Sequence, residues 1–219
     1  MSIRKKILAI SIGPVLVLGV ITLLFMLTMV KSSLMDEVQD ALKGTAAATL
    51  AAYDQNTGDY LESTNGDIWK GSYNISKSES LVDRIKENTG MDVTFFYGNK
   101  RIMTSALDKK GNRILGSEAG ERVVNQVIKG KKPFFSTNVS LDGTRNYGYF
   151  IPVYQNGTTD QVIGMVFVGT NKARKDAIVN KILGSIMMAL LVVMLLCIVT
   201  AMRMAASISK HIKNSVAVV

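Results

Sequence analysis

The sequence predicts an α+β domain set between two transmembrane helices, built as a five-stranded antiparallel sheet with helices packed on one side. Three observations lead there. Two uncharged apolar runs, Ile7–Val30 and Ile182–Met202, bracket a long polar stretch. Within that stretch, hydrophobic spacing of three and four gives way at Met91 to strand-like runs. The pairs Gly98-Asn99, Asp142-Gly143 and Asn156-Gly157 then mark turns so short that the strands they join must be antiparallel neighbours.

The apolar runs contain 24 and 21 residues. A helix rises about 1.5 Å per residue and the hydrocarbon core is about 30 Å thick, so either run crosses it. Lipid offers the backbone no partners, which leaves helix as the spanning conformation. Arg4-Lys5-Lys6 and Lys31 flank the first run, Lys181 and Arg203 the second, as interfacial anchors. The first run exceeds the roughly 7–15 apolar residues of a signal peptide and reads as an uncleaved anchor. All 17 acidic residues lie between Lys31 and Lys181, whereas the short ends carry six basic residues and no acid. Positive short ends stay in the cytoplasm, so both termini are expected inside and the large loop outside. The net charge of +9 follows from this topology, and no basic stripe interleaved with aromatics supports nucleic-acid binding. Cys197 falls inside the second span, so the loop must be held by its core without a disulfide.

After the first span (7–30, preceded by a cytoplasmic end at 1–6), a stalk helix is expected over 31–54. Leu34, Val38, Leu42, Thr45, Thr49 and Ala52 form its apolar stripe, which must pack on the domain, on a partner chain, or on both. Asn56–Tyr73 is rich in Asn, Gly, Asp and Ser and reads as irregular. A helix follows from Ser78, its expected N-cap, to Asn88, stopped by Gly90. Strands are expected at Met91–Tyr97 and Lys100–Ala106, then a helix from Ser117 to Lys129, then strands at Pro133–Ser140, Arg145–Gln155 and Gln161–Asn171. A juxtamembrane linker at 173–181 leads to the second span at 182–202.

Several ordered pieces resemble a known family. Val93-Thr94-Phe95-Phe96-Tyr97-Gly98-Asn99-Lys100-Arg101-Ile102-Met103-Thr104-Ser105 resembles the β-hairpin of single Cache domains, the extracytoplasmic PAS-like sensors. Gly111-Asn112-Arg113-Ile114-Leu115-Gly116-Ser117 resembles their loop before the central helix, and Ile151-Pro152-Val153-Tyr154 with Ile163-Gly164-Met165-Val166-Phe167-Val168-Gly169 their last two strands. The resemblance implies a PAS-like sheet with flanking helices over 55–172. Ile208-Ser209-Lys210-His211-Ile212-Lys213 is similar to the start of a HAMP linker over 203–219, with His211 where proline is usual. The whole is similar to the N-terminal half of methyl-accepting chemotaxis proteins. Sensor histidine kinases of the citrate and dicarboxylate type share this front end, and a membrane-anchored adhesion or structural protein is the third alternative.

The resemblance also implies a small-molecule ligand between the sheet and the loops capping it. Arg101 matches a hairpin arginine that often meets a carboxylate, and a guanidinium fork suits bidentate capture; a solvated hairpin arginine is the alternative. Thr104 and Ser105 are candidate hydroxyl donors. In the dicarboxylate sensors a histidine and a second arginine occupy the positions held here by Thr104 and Gly148, which argues against a multiply charged ligand. Tyr147 and Tyr149 share a strand face and offer a hydroxyl each, Phe150 and Pro152 take the other face, and Trp69 is a candidate wall of the pocket. Neither a nucleophile–base pair nor a metal-spaced cluster is present in the sequence, so no catalysis, metal or cofactor is expected. The expected partners are the ligand, the membrane, cytoplasmic signalling proteins, and a second copy of the chain, dimerised through the Leu34/Val38/Leu42 stripe and the spans.

Overall fold

The computed structural model describes residues 3–216. In chain order the elements are α1 (Ile3–Asp54), β1 (Tyr60–Glu62), β2 (Ile68–Lys70), β3 (Tyr73–Asn74), α2 (Glu79–Thr89), β4 (Asp92–Tyr97) and β5 (Lys100–Thr104). They continue with α3 (Glu121–Val123), whose turns widen into a π-helix over Val124–Lys129, β6 (Phe134–Leu141), β7 (Thr144–Tyr154), β8 (Val162–Asn171) and α4 (Lys172–Val216). Two compact units result: the chain up to Leu34 with the chain from Ala177, and Met35–Asp176.

In the first unit, both expected spans lie inside helices long and apolar enough to cross a membrane. Large apolar side chains such as Leu18, Phe25, Met188 and Leu195 point outward, as lipid-facing residues must. The few hydroxyls in these runs bond back to their own helix: Thr22 donates to the Leu18 carbonyl at 2.8 Å and Thr200 to that of Leu196 at 3.0 Å. Residues 173–181, expected as a linker, are helical and continuous with α4. The expected cytoplasmic N-terminus and HAMP-like segment extend, at residues 1–2 and 217–219, outside the described residues.

The second unit is built on a five-stranded antiparallel sheet in the order β5-β4-β8-β7-β6. Both faces of it are covered, which corrects the expectation of helices on one side. Val93, Phe95, Tyr147, Tyr149, Val153, Val166 and Val168 pack with Val38, Leu42, Ala46 and Tyr53 of α1 and Val82 of α2. The other face presents Phe96, Phe150, Met165 and Phe167 to Ala106, Val127 and Leu141. Val93–Phe96 and Met165–Val168 are accordingly buried at every position, with Thr94 the one polar residue among them.

Other differences have local causes. Residues 60–74, expected to be irregular, form a separate three-stranded sheet, β1-β2-β3. Its strands span only two or three residues, too short for alternation to register against the surrounding Asn, Gly and Ser. Ser78 precedes α2, but its hydroxyl pairs with the Tyr53 hydroxyl (2.9 Å) and donates to the Ile75 carbonyl (2.7 Å) instead of capping an amide. Gly90 does stop α2, in the left-handed conformation at φ 69° with its N–H on the Lys86 carbonyl. The third helix begins at Glu121 rather than Ser117, because 117–119 are held as an added strip along the β4–β5 hairpin: Arg101 N–H donates to the Ser117 carbonyl (2.9 Å) and Ala119 N–H to that of Asn99 (2.8 Å). Finally, Val38 and Leu42 are buried against their own domain, so this part of the stripe cannot also serve as a dimer surface.

Candidate ligand-binding site

A cavity of about 490 Å³ opens on the second face of the sheet. Phe96, Phe150 and Phe167 of β4, β7 and β8 make its floor, β6 from Phe134 to Ser140 one wall, and the segment Glu118–Val123 another. The floor depends on two glycines. Gly148 and Gly169 face each other across β7 and β8. A Cβ on Gly148 would stand 2.5 Å from Phe167 Cε2, and one on Gly169 would run into the same ring. Their lack of side chains lets the Phe167 ring lie over the pair.

Arg101 enters this cavity because of an irregularity in the hairpin. Pairing runs Phe95↔Met103 and then Phe96↔Arg101, so one strand carries an extra residue at that point. A bulge of this kind reverses which face the next residue serves. Regular alternation would put Arg101 on the Met103 side; the shift sets its guanidinium over the Phe96 ring, 5.3 Å from the centroid. Arg101 is 8% exposed. Its Nη1 donates to the Ile114 carbonyl at 3.3 Å, while Nε is buried without a hydrogen-bond partner. Among the described residues no carboxylate lies within ion-pair distance of it. Burial lowers its pKa, opposed by the charge of Asp92, and an arginine remains charged under such a shift. A desolvated guanidinium with an unpartnered donor has the chemistry to meet an anion.

The strip beside Arg101 is itself tied down. Gly116 N–H donates to the Arg101 carbonyl at 2.9 Å and Ile114 N–H to that of Ala106 at 3.1 Å. Arg113 forks onto Asp83 of α2, Nη1 to Oδ1 at 2.9 Å and Nη2 to Oδ2 at 2.5 Å, and also donates to the Thr104 carbonyl at 2.7 Å. Those bonds hold the Asp83 carboxyl below its ordinary pKa and raise that of Arg113.

Of the six residues singled out by the sequence, Arg101 lines the cavity and the other five lie elsewhere. The Thr104 hydroxyl is buried against that of Thr94 at 2.7 Å, and Ser105 Oγ accepts from Val93 N–H at 2.9 Å and donates to Asp92 at 3.3 Å. Tyr147 and Tyr149 share a face, the one toward α1. Tyr147 Oη donates to Asp176 Oδ1 at 2.6 Å, and burial together with that carboxylate pushes its pKa up to about 12. Trp69 sits in the small sheet, paired with Leu61 and Asn74. The sequence did not reveal the phenylalanine floor, placing Phe150 only on the strand face opposite Tyr147 and Tyr149. The available signal was the pair of lone glycines inside strands, which marks close approach of another group.

The family model described as single Cache domain 3 matches residues 73–182, half of the chain. No protein among the curated sequences matches. Among solved structures, an extracellular ligand binding receptor from Desulfohalobium retbaense DSM5692 is similar at 14% identity and a TM-score of 0.48, over 68% of this chain and 26% of its own length. The sensor domain of E. coli DcuS is similar at 13% identity and a TM-score of 0.39, over 69% of this chain and 98% of its own. The chain thus spans about a quarter of the first of these structures.

Proposed function

Because this chain belongs to the single Cache domain 3 family of ligand-binding signalling modules, we propose that it is the sensor region of a transmembrane chemoreceptor of the methyl-accepting type, binding a small extracellular carboxylate. The observation that carries the ligand class is Arg101. On a guanidinium, Nε–H and an N–H of Nη2 point the same way and form a bidentate edge. Here Nη1 donates to the Ile114 carbonyl and Nε is buried without a partner, so the guanidinium has donors to spare for a carboxylate once the groups over Nε move aside. The chemoreceptor reading rests on the resemblance of the whole arrangement to the N-terminal half of methyl-accepting chemotaxis proteins, and the membrane histidine kinase, which shares this front end, is the alternative. Homodimerisation belongs to the same proposal, through surfaces other than Val38 and Leu42.

Signal output follows from connectivity. Strand β8 runs without a break into α4. Three contacts fasten the first turns of α4 to the sheet: Asn171 Oδ1 accepts from Arg174 N–H (3.0 Å), Tyr147 donates to Asp176, and Lys172 Nζ donates to the Thr137 carbonyl (3.1 Å). Thr137 also lines the cavity. A ligand that draws β6 inward therefore acts on the start of the helix that carries the second span. It shifts the signalling equilibrium only by its differential affinity for the two states, about 1–3 kcal/mol in systems of this kind.

The test is calorimetric titration of the full chain in nanodiscs with a panel of small carboxylates, for wild type and for Arg101→Ala. Tight binding by wild type and a loss of more than tenfold in the variant are expected. Equal affinities would refute the carboxylate reading.

A further inference from the structure

The interior of the cavity carries one cation and several aromatic rings, and, resting on the carboxylate reading above, this sets the rest of the ligand. We propose that the site takes a monocarboxylate whose body is a single flat aromatic ring, its carboxylate paired with the Arg101 guanidinium and its ring on Phe150 and Phe167.

The charge count comes first. Arg101 is the only buried ionisable side chain among those lining the cavity. The other two charged residues there, Arg122 and Glu118, are exposed, opposite in sign, and belong to the segment at its edge. Arg122 moreover is engaged with the Phe134 ring, 5.4 Å from its centroid. One carboxylate saturates the interior charge. A second would face neutral groups and rings with no cation to meet it, and an unpaired buried anion is strongly disfavoured.

The shape comes from the rings. Phe134 and Phe150 are stacked at 6.4 Å with 30° between planes, and Phe150 and Phe167 are tilted at 4.8 Å and 41°. The three make a run of π-surface ending at the two side-chain-free positions, Gly148 and Gly169. Any side chain at 148 would meet both Phe167 and Val139, at 2.5 and 2.8 Å. Glycine there lets the Phe167 ring settle against β7 and β8, and a lining of phenylalanine rings suits an aromatic group better than a puckered or branched one. A rigid ring also loses little conformational freedom on binding, and offset or edge contacts with phenylalanine add to its burial. The neutral side chains of Ser136, Thr137 and Asn138 along β6 leave room for an uncharged polar substituent on that ring.

Four probes separate the parts of this proposal when titrated calorimetrically against the full chain in nanodiscs. Phenylacetate carries ring and charge, cyclohexylacetate the charge on a puckered ring, phenylacetamide the ring without charge, and succinate two charges without a ring. Phenylacetate is expected to bind at least threefold more tightly than cyclohexylacetate and at least tenfold more tightly than succinate and phenylacetamide. Cyclohexylacetate or succinate binding as well as phenylacetate would overturn the aromatic assignment while leaving the carboxylate reading intact. Phenylacetamide equal to phenylacetate would overturn the carboxylate reading instead. Gly148→Ala, which displaces the Phe167 ring, should weaken phenylacetate more than cyclohexylacetate. Phe150→Leu, a milder change, should abolish the preference between those two without loss of the melting transition. A preference unchanged in folded Phe150→Leu would place the ring elsewhere and refute the seat on Phe150.

Discussion

Arg101 shows how one side chain can be singled out from sequence for its chemistry and still owe its position to its neighbours. A guanidinium on a hairpin is a candidate anion ligand from sequence alone. Its burial at 8% exposure and its direction follow from the register shift opposite Phe95 and Phe96. Removing one partner of a buried charge-assisted pair costs about 2–5 kcal/mol, so Arg101→Ala should weaken ligand binding by more than tenfold. Arg101→Lys keeps the charge without the fork and should recover only part of that in the same titration. The unliganded melting point should fall little in either variant, since the cation has no carboxylate partner among the described residues. Arg113 behaves oppositely. Its fork onto Asp83 depresses the folded carboxyl pKa below the ordinary 3.8, so its stabilisation is present above that value and fades as pH falls through the depressed one. With Asp83 42% exposed, solvent screening limits the pair to about 1 kcal/mol or less. Asp83→Asn should therefore lower the melting temperature modestly at pH 7, and the difference should shrink as the pH is taken below the carboxylate range. A constant difference across that range would mean that the loss is one of packing.

At the scale of elements, strands and turns follow the sequence closely and capping does not. Asp142-Gly143 is a two-residue turn with both residues at positive φ, 45° and 77°, the geometry a tight hairpin requires. The limits of β4, β7 and β8 fall within a residue of the expected ones, because alternation and turn chemistry are local properties. Ser78 failed as a side-chain cap because its hydroxyl is taken by Tyr53 and the Ile75 carbonyl, and Ser117 because its backbone is tied to Arg101 and the helix begins only at Glu121. Gly164 tests the closeness of the central strands. A Cβ there would strike the Phe96 carbonyl of β4, a backbone atom that cannot swing aside. Gly164→Ala should destabilise by about 1–3 kcal/mol in denaturant titration, the usual cost of overpacking. A neutral result would show that β4 and β8 can separate locally.

For the whole molecule, two helices able to cross a membrane flank a Cache sensor domain, and the charge bias of the short ends predicts both termini in the cytoplasm. A cysteine at Asp59 should label with an impermeant reagent in intact cells; labelling only after lysis would invert the topology. Ligand at a hundred times its Kd should stabilise the folded state by about 2.7 kcal/mol, measured as a rise in melting temperature that is lost in Arg101→Ala. The sequence by itself determined the two apolar runs, the order of the strands of the larger sheet and the helices between them, and Arg101 as a candidate anion ligand, because hydropathy, periodicity and turn residues act over a few neighbouring positions. Tertiary structure alone decided which face holds the cavity. That outcome depends on a bulge that turns Arg101 across Phe96, on α1 covering the face of Tyr147 and Tyr149, and on two glycines meeting under Phe167 from separate strands. Each joins residues far apart in the chain, and pairing at that range is fixed only when the sheet assembles.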